Sequence, residues 1–224
     1  MKRIFLSVCM IGCSLLPVFS QETADSYFSR ISDYYGTVKD YEADLIITRG
    51  SEIQKAHISY KSPNLLRLDF SDPDGQVLCT DGKELELFIP RLGVSFTQEL
   101  KYHDESTLAA MASNQGLTLL MRNYGIAYLE GPSYVPLDPG SNEKVIKLKL
   151  DWRSANEGFR KIEIAVGQNN LIRRIIGYST TGTVLQFDFL NIVINRNIPM
   201  TRFDYEVPPV GNSIVNFLFD PEDN

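Results

Sequence analysis

From Asp40 onward the chain alternates apolar and polar side chains with a period of two, segment after segment, and few folds can accommodate that pattern. Leu45 and Ile47 alternate with Asp44 and Thr48; Ala56, Ile58 and Tyr60 alternate with His57 and Ser59. Leu66, Leu68 and Phe70 follow, then Leu85, Leu87 and Ile89, then Val94 and Phe96. Asp72-Pro73-Asp74-Gly75, Asp81-Gly82 and Arg91-Leu92-Gly93 separate these runs and carry the residues of tight turns. The pattern resumes with Ile146, Leu148, Leu150 and Trp152, with Ile162, Ile164 and Val166, and in Leu171 to Tyr178 and Val184 to Ile194, joined at Thr180-Thr181-Gly182. Phe203, Tyr205 and Val207 are predicted as a last strand before Pro208-Pro209.

Helical spacing is confined to two places. Tyr27, Phe28, Ile31 and Tyr34 or Tyr35 predict a helix over Glu22 to Val38 that Gly36 ends. Asp104 to Tyr124 predicts two short helices, capped at Asp104 or Ser106 and separated by Asn114-Gln115-Gly116. Their apolar face is Leu108, Met111, Ala112, Leu117, Leu120 and Met121. The expected architecture is α+β and mostly antiparallel, with about 10–12 strands. Each strand has one apolar face, and a face of that extent must be covered. A closed barrel covers itself; a curved open sheet needs the helices in its mouth. Either leaves a concave apolar interior suited to ligands.

The N-terminus points to export. Lys2 and Arg3 precede an apolar stretch from Ile4 to Leu16, and Val18-Phe19-Ser20 suits cleavage before Gln21. Residues 1–20 are therefore expected to be a signal peptide and 21–224 a single domain. Met10-Ile11-Gly12-Cys13 offers a competing lipid-attachment site, but cleavage there would leave an apolar mature start, Ser14 to Phe19. Removal of residues 1–20 leaves Cys79 as the sole cysteine, alternating with Val77 on an apolar strand and expected to be a buried, inert thiol. With Lys2 and Arg3 removed, twenty basic side chains face twenty-eight acidic ones, a net charge of −8. An acidic chain without a basic run is a poor binder of nucleic acid or anionic membranes.

Catalytic chemistry finds little support. His57 and His103 are the only histidines, on a polar strand face and in a loop. Gly177-Tyr178-Ser179-Thr180-Thr181-Gly182 is one residue too long for a nucleophile elbow and lies between two strands. Asp69, Glu84 and Glu86 fall on strand positions expected to face solvent. No catalytic residue, cofactor or metal site is expected.

Several of these segments resemble the outer-membrane lipoprotein carrier (LolA) family in order and spacing, over roughly Ser26 to Ile214. They are Tyr60-Lys61-Ser62-Pro63-Asn64-Leu65-Leu66-Arg67; Pro73-Asp74-Gly75-Gln76-Val77-Leu78 with Asp81-Gly82-Lys83; Asn114 to Asn123; and Phe203-Asp204-Tyr205-Glu206-Val207-Pro208-Pro209. The resemblance implies an unclosed half-barrel with a helical lid over an apolar cavity. It implies a monomeric, non-enzymatic periplasmic carrier of acylated lipoproteins. An inner-membrane ABC transporter would load the carrier and an outer-membrane acceptor would unload it. A membrane-anchored acceptor of the same fold, a carrier of a glycolipid or phospholipid, and an envelope-stress sensor are the alternatives.

The expected cavity and lid residues are Leu45, Ile47, Ile58, Tyr60, Leu66, Leu68, Phe70, Val77, Leu85, Leu87, Ile89, Phe96, Leu108, Met111, Leu117, Leu120, Met121, Ile146, Leu148, Ile162, Ile164, Phe187 and Phe189. About half are expected to be plain core. Many family members carry an arginine before the Pro-Asn pair, where it latches the lid; Ser62 stands there in this chain. Ser62 and Arg67 are the latch candidates, with Lys61 as another substitute. The extended segment Gly131 to Glu143 and the acidic end Asp220 to Asn224 are read as surface elaboration or a docking surface.

Overall fold

The structure, a computed structural model, describes residues 21–99, 112–154, 158–209 and 212–215. The first element is helix α1, Ala24–Gly36, whose Thr23 cap accepts a hydrogen bond from the Ser26 N–H. Tyr27, Phe28, Ile31 and Tyr35 are buried along one side of it, as the helical spacing predicts.

Six strands follow: β1 (Asp40–Arg49), β2 (Glu52–Lys61), β3 (Leu65–Asp72), β4 (Asp74–Thr80), β5 (Glu84–Ile89) and β6 (Val94–Glu99). Helix α2 (Asn114–Asn123) runs directly into β7 (Tyr124–Tyr128). The remainder is β8 (Val135–Pro136), β9 (Lys144–Trp152), β10 (Phe159–Gly167), β11 (Ile172–Ser179), β12 (Val184–Ile194) and β13 (Asn212–Val215). Consecutive strands pair as hairpins where the turn residues sit. Gly82 closes the β4–β5 turn at φ 85°, with the Asn64 amide so near that a Cβ there would collide with it.

The described strands form one sheet in the order β13-β6-β5-β4-β3-β2-β1-β12-β11-β10-β9-β7, with β8 beside β9. Its two end strands do not pair with one another, so the sheet is unclosed, in agreement with the expected half-barrel. Thirteen strands are present among the described residues rather than 10–12, and one pairing, β13 with β6, is parallel. Both helices cover the same face. α1 packs against α2 and β7, and its buried side chains join Tyr41, Leu45, Ile58, Leu68, Leu148, Ile164 and Phe189 in one apolar cluster. This is the inner face.

Two expectations are corrected. Asn114-Gln115-Gly116 does not break a helix but forms the first turn of α2, because the Ser113 side chain accepts the Gly116 N–H and caps it. The other predicted helix, with Leu108 and Met111, lies outside the described residues, as do the loop of His103, the signal peptide and the acidic C-terminal end. Phe203, Tyr205 and Val207 do not form a strand either. A 3-10 turn at Met200–Arg202 leads into an irregular strap laid over the outer face. Phe203 is buried with Leu65 and Ile198, and the Arg67 guanidinium lies 5.2 Å from the centre of the Tyr205 ring.

Polar contacts hold this strap. Asp40, 2% exposed, accepts the backbone N–H groups of Arg196 at 2.8 Å and Ile198 at 3.3 Å. The Lys61 ammonium donates to the Ile198 carbonyl at 2.6 Å. Arg202 binds the Asp69 carboxylate and, at 3.1 Å, the Ser59 hydroxyl. Burial opposes the charge on Asp69, but Arg67 and Arg202 outweigh it and hold the carboxyl below the usual carboxylate range.

Replacing Asp40 by alanine leaves the buried Ile198 N–H and the partly buried Arg196 N–H without their acceptor and should cost about 1–3 kcal/mol in urea unfolding. A carboxyl whose folded pKa is depressed adds stability above its unfolded value, and this is lost as pH falls through the folded value. Stability should therefore drop below about pH 4, and Asp69→Asn should flatten that drop.

Candidate functional site

Register decides which apolar side chains share the inner face, because paired residues point the same way. Leu45 pairs with Phe189 and Ile47 with Phe187. Ile58 pairs with Leu68 and Tyr60 with Leu66. Leu68 pairs with Leu78, Leu78 with Leu87, and Leu87 with Phe96. Ile89 pairs with Val94 in the same row set. Toward the other edge, Ile175 pairs with Phe187, Ile164 with Ile175, and Leu148 with Ile164.

Val77 is the exception among the expected cavity residues. It pairs with Asp69 and Phe88, and so lies on the outer face, the face of Cys79. Leu78 takes its place on the inner face. Cys79 is buried there, its thiol pointing at the Phe203 carbonyl at 3.5 Å, and burial pushes its pKa up to about 11. A thiol so raised stays protonated and unreactive at neutral pH.

Burial divides the remaining residues into two groups. Leu45, Ile58, Tyr60, Leu66, Leu68, Phe70, Ile146, Leu148, Ile162, Ile164, Phe187 and Phe189 are buried, with Leu117 and Leu120 of α2, in the cluster under the helices. Leu85 is buried as well. Leu87, Ile89 and Phe96 of β5 and β6 are only half-buried, with Val94 beside them, and so are Ile47 and Met121. The inner face is thus filled beneath α1 and α2 and incompletely covered at the β5–β6 wing.

The latch candidates separate too. Arg67 binds Asp69 at 2.9 Å and donates to the Arg202 carbonyl at 3.2 Å, so it fastens the strap; Lys61 does the same through Ile198. Among the described residues neither reaches α2. The Tyr60 hydroxyl donates to the Pro63 carbonyl at 3.0 Å. Burial raises its pKa, and hydrogen bonds with Ser62 and with Ser113, the cap of α2, act against that rise. Ser62 in the Pro-Asn turn and Ser113 at the start of α2 thus both act on the Tyr60 hydroxyl. Asn114 adds a tie, donating to the Ser32 carbonyl of α1 at 2.8 Å while its side chain lies over Gly36. Sequence reasoning missed Asn114 because an asparagine beside Gln-Gly reads as a helix breaker.

The polar groups weighed for catalysis sit elsewhere. His57 is on the outer face, 3.3 Å from Asp44 and 3.7 Å from Glu42. Glu84 is exposed, and the half-buried Glu86 has a raised pKa from burial and from Glu84 and Asp81. Ser179 and Thr181 bond one another across the β11–β12 turn at 2.9 Å.

A mostly antiparallel, unclosed sheet with two helices over its apolar inner face defines a protein of the open half-barrel class. The sequence pattern described as outer membrane lipoprotein carrier protein LolA matches residues 48–206, and the chain belongs to that family. The outer-membrane lipoprotein carrier protein of Pseudomonas aeruginosa is 26% identical over 165 residues, 71% of this chain and 72% of that one. The protein of the same name from Actinobacillus pleuropneumoniae is 24% identical over 192 residues, 82% of this chain and 86% of the other. Among solved structures, an uncharacterized conserved protein from Thermus thermophilus superposes with a TM-score of 0.55 at 11% identity, covering 84% of this chain and 97% of its own. MucB, crystallised in complex with MucA(peri), gives 0.50 at 12% identity, covering 84% of this chain and 62% of its own. These two show the fold alone.

Asn114→Ala removes the α1–α2 tie and should lower stability by about 1 kcal/mol. Binding of an environment-sensitive apolar dye should rise in the same variant, as α2 uncovers more of the inner face.

Proposed function

We propose that this protein is a periplasmic carrier that takes up the acyl chains of lipoproteins on the inner face of its half-barrel. Residues 1–20 are removed on export and 21–224 act as one lipid-binding domain. The observation that carries this reading is the half-buried β5–β6 wing of Leu87, Ile89, Val94 and Phe96, continuous with a packed core and without charged side chains in its paired rows. A saturated chain of roughly fifteen methylenes gains about 12 kcal/mol on leaving water, so a carrier must offer an apolar lining of similar extent.

Release is as necessary as capture. An apolar lining holds by area rather than by directed bonds, and its affinity falls when α2 swings or the wing opens. The Asn114 tie gives the closed state a neutral hydrogen bond of modest strength, where an arginine latch would give a charged one. The inferred partners are acylated lipoproteins, an inner-membrane ABC transporter that loads the carrier and an outer-membrane acceptor that unloads it.

Native mass spectrometry of the protein purified from periplasm tests the reading. A triacylated lipoprotein should bind one to one, and Leu87→Asp should weaken loading by roughly tenfold or more, since a carboxylate would be placed against the acyl chain. Ile53→Asp, at an exposed site, should leave loading unchanged. Full loading of Leu87→Asp would refute the site. A co-purified glycolipid or phospholipid would redirect the function to general lipid transport, and a diacylglyceryl mass on Cys13 to an anchored acceptor.

A further inference from the structure

Where α1 begins, a cavity of about 380 Å³ is lined by Gln21, Glu22, Tyr27, Arg30, Tyr128 and Tyr134, with Pro132, Ser133 and Ile146 completing the wall. The chain is fixed one residue from its mouth. Arg30 grips both carboxylate oxygens of Glu22 at 3.2 Å, and the Tyr128 hydroxyl donates to the Glu22 carbonyl at 3.1 Å. Gln21 itself is exposed. Tyr27 is 1% exposed, yet its hydroxyl has no hydrogen-bond partner among the described residues. The groups that act on that hydroxyl, Tyr134, Arg30, Tyr128 and Glu22, all line the same cavity. A buried hydroxyl in this position calls for a neutral polar occupant.

Cleavage after Ser20 would make Gln21 the first residue. We propose that Gln21 then closes to its pyrrolidone lactam, and that this lactam seats in the cavity with its carbonyl accepting from the Tyr27 hydroxyl. In the closure the α-amine attacks the side-chain Cδ. The new N–Cδ bond forms, the Cδ–Nε bond breaks, and ammonia leaves with a proton given up by the α-amine. No oxidant or other reactant is consumed.

Electrostatics favour the closed form in this setting. The Arg30 guanidinium already lies 4.9 Å from the centre of the Tyr27 ring, and both Glu22 oxygens are engaged by it. A terminal ammonium at Gln21 would bring a second cation to a site whose carboxylate is taken. The lactam brings no charge and offers a carbonyl and an N–H.

The proposal rests on cleavage after Ser20 and is independent of the cargo. Its test is the intact mass and stepwise N-terminal degradation of protein matured in cells from the full chain. The expected result is residues 21–224 lighter by one ammonia and refractory to degradation until treated with pyroglutamyl peptidase. An unmodified Gln21 start would overturn the lactam while leaving the cleavage site intact; a lipidated Cys13 start would overturn both. For the seat, the lactam form should melt roughly 2–4 °C above Gln21→Ala, and the gap should close in a Tyr27→Phe background. A lactam that forms without that gap would overturn the seat.

Discussion

An apolar sheet face must be kept from water, and two described helices are too small to cover a path of twelve hydrogen-bonded strands. The fold resolves this unevenly. α1 and α2 lie over the middle of the sheet and the strands leading to β7, where Ile31, Leu117, Leu148, Ile162 and Phe189 are buried. The β5–β6 wing is left with its apolar rows half-covered. The same hydrogen-bond register that aligns those rows keeps the wing in place. A lining of this kind suits a ligand that is recognised by extent and not by shape.

The outer face is organised on different physics. Asp40, Lys61, Arg67, Asp69 and Arg202 tie the strap of residues 196–205 across the outer face, and Ile198 and Phe203 of the strap are buried with Leu65, with Cys79 against the Phe203 carbonyl. This second small core backs strands whose inner side chains pack in the main cluster. Charged hydrogen bonds are used where geometry must be constant. The tie of α2 to α1, by contrast, is a neutral amide bond from Asn114 to the Ser32 carbonyl.

Much of the fold was legible in sequence. Period-two alternation placed the strands, turn residues placed the hairpins, and the Thr23-capped helix lies close to its predicted bounds. Where the reading failed, the local signal was ambiguous. In Val77-Leu78-Cys79 every residue is apolar, so alternation cannot choose a face; only the pairing of Leu78 with Leu68 and Leu87 does. Phe203, Tyr205 and Val207 alternate like a strand, but alternation does not say whether a sheet edge is available, and these residues lie across a sheet face instead. Asn114 carries a helix-breaking residue type, yet its side chain is satisfied by Ser32, eighty-two residues away.

The sequence by itself determined the class of architecture, the apolar surplus and the family, because these are set by periodicity and by residues close together in the chain. The tertiary structure alone decided which apolar side chains are core and which remain half-covered. It assigned Arg67 to the strap and Asn114 to the tie between α1 and α2, and it gathered Gln21, Tyr27, Tyr128 and Tyr134 around one cavity. Each of those outcomes depends on register and on contacts between residues distant in sequence, where the local pattern is the same for either result.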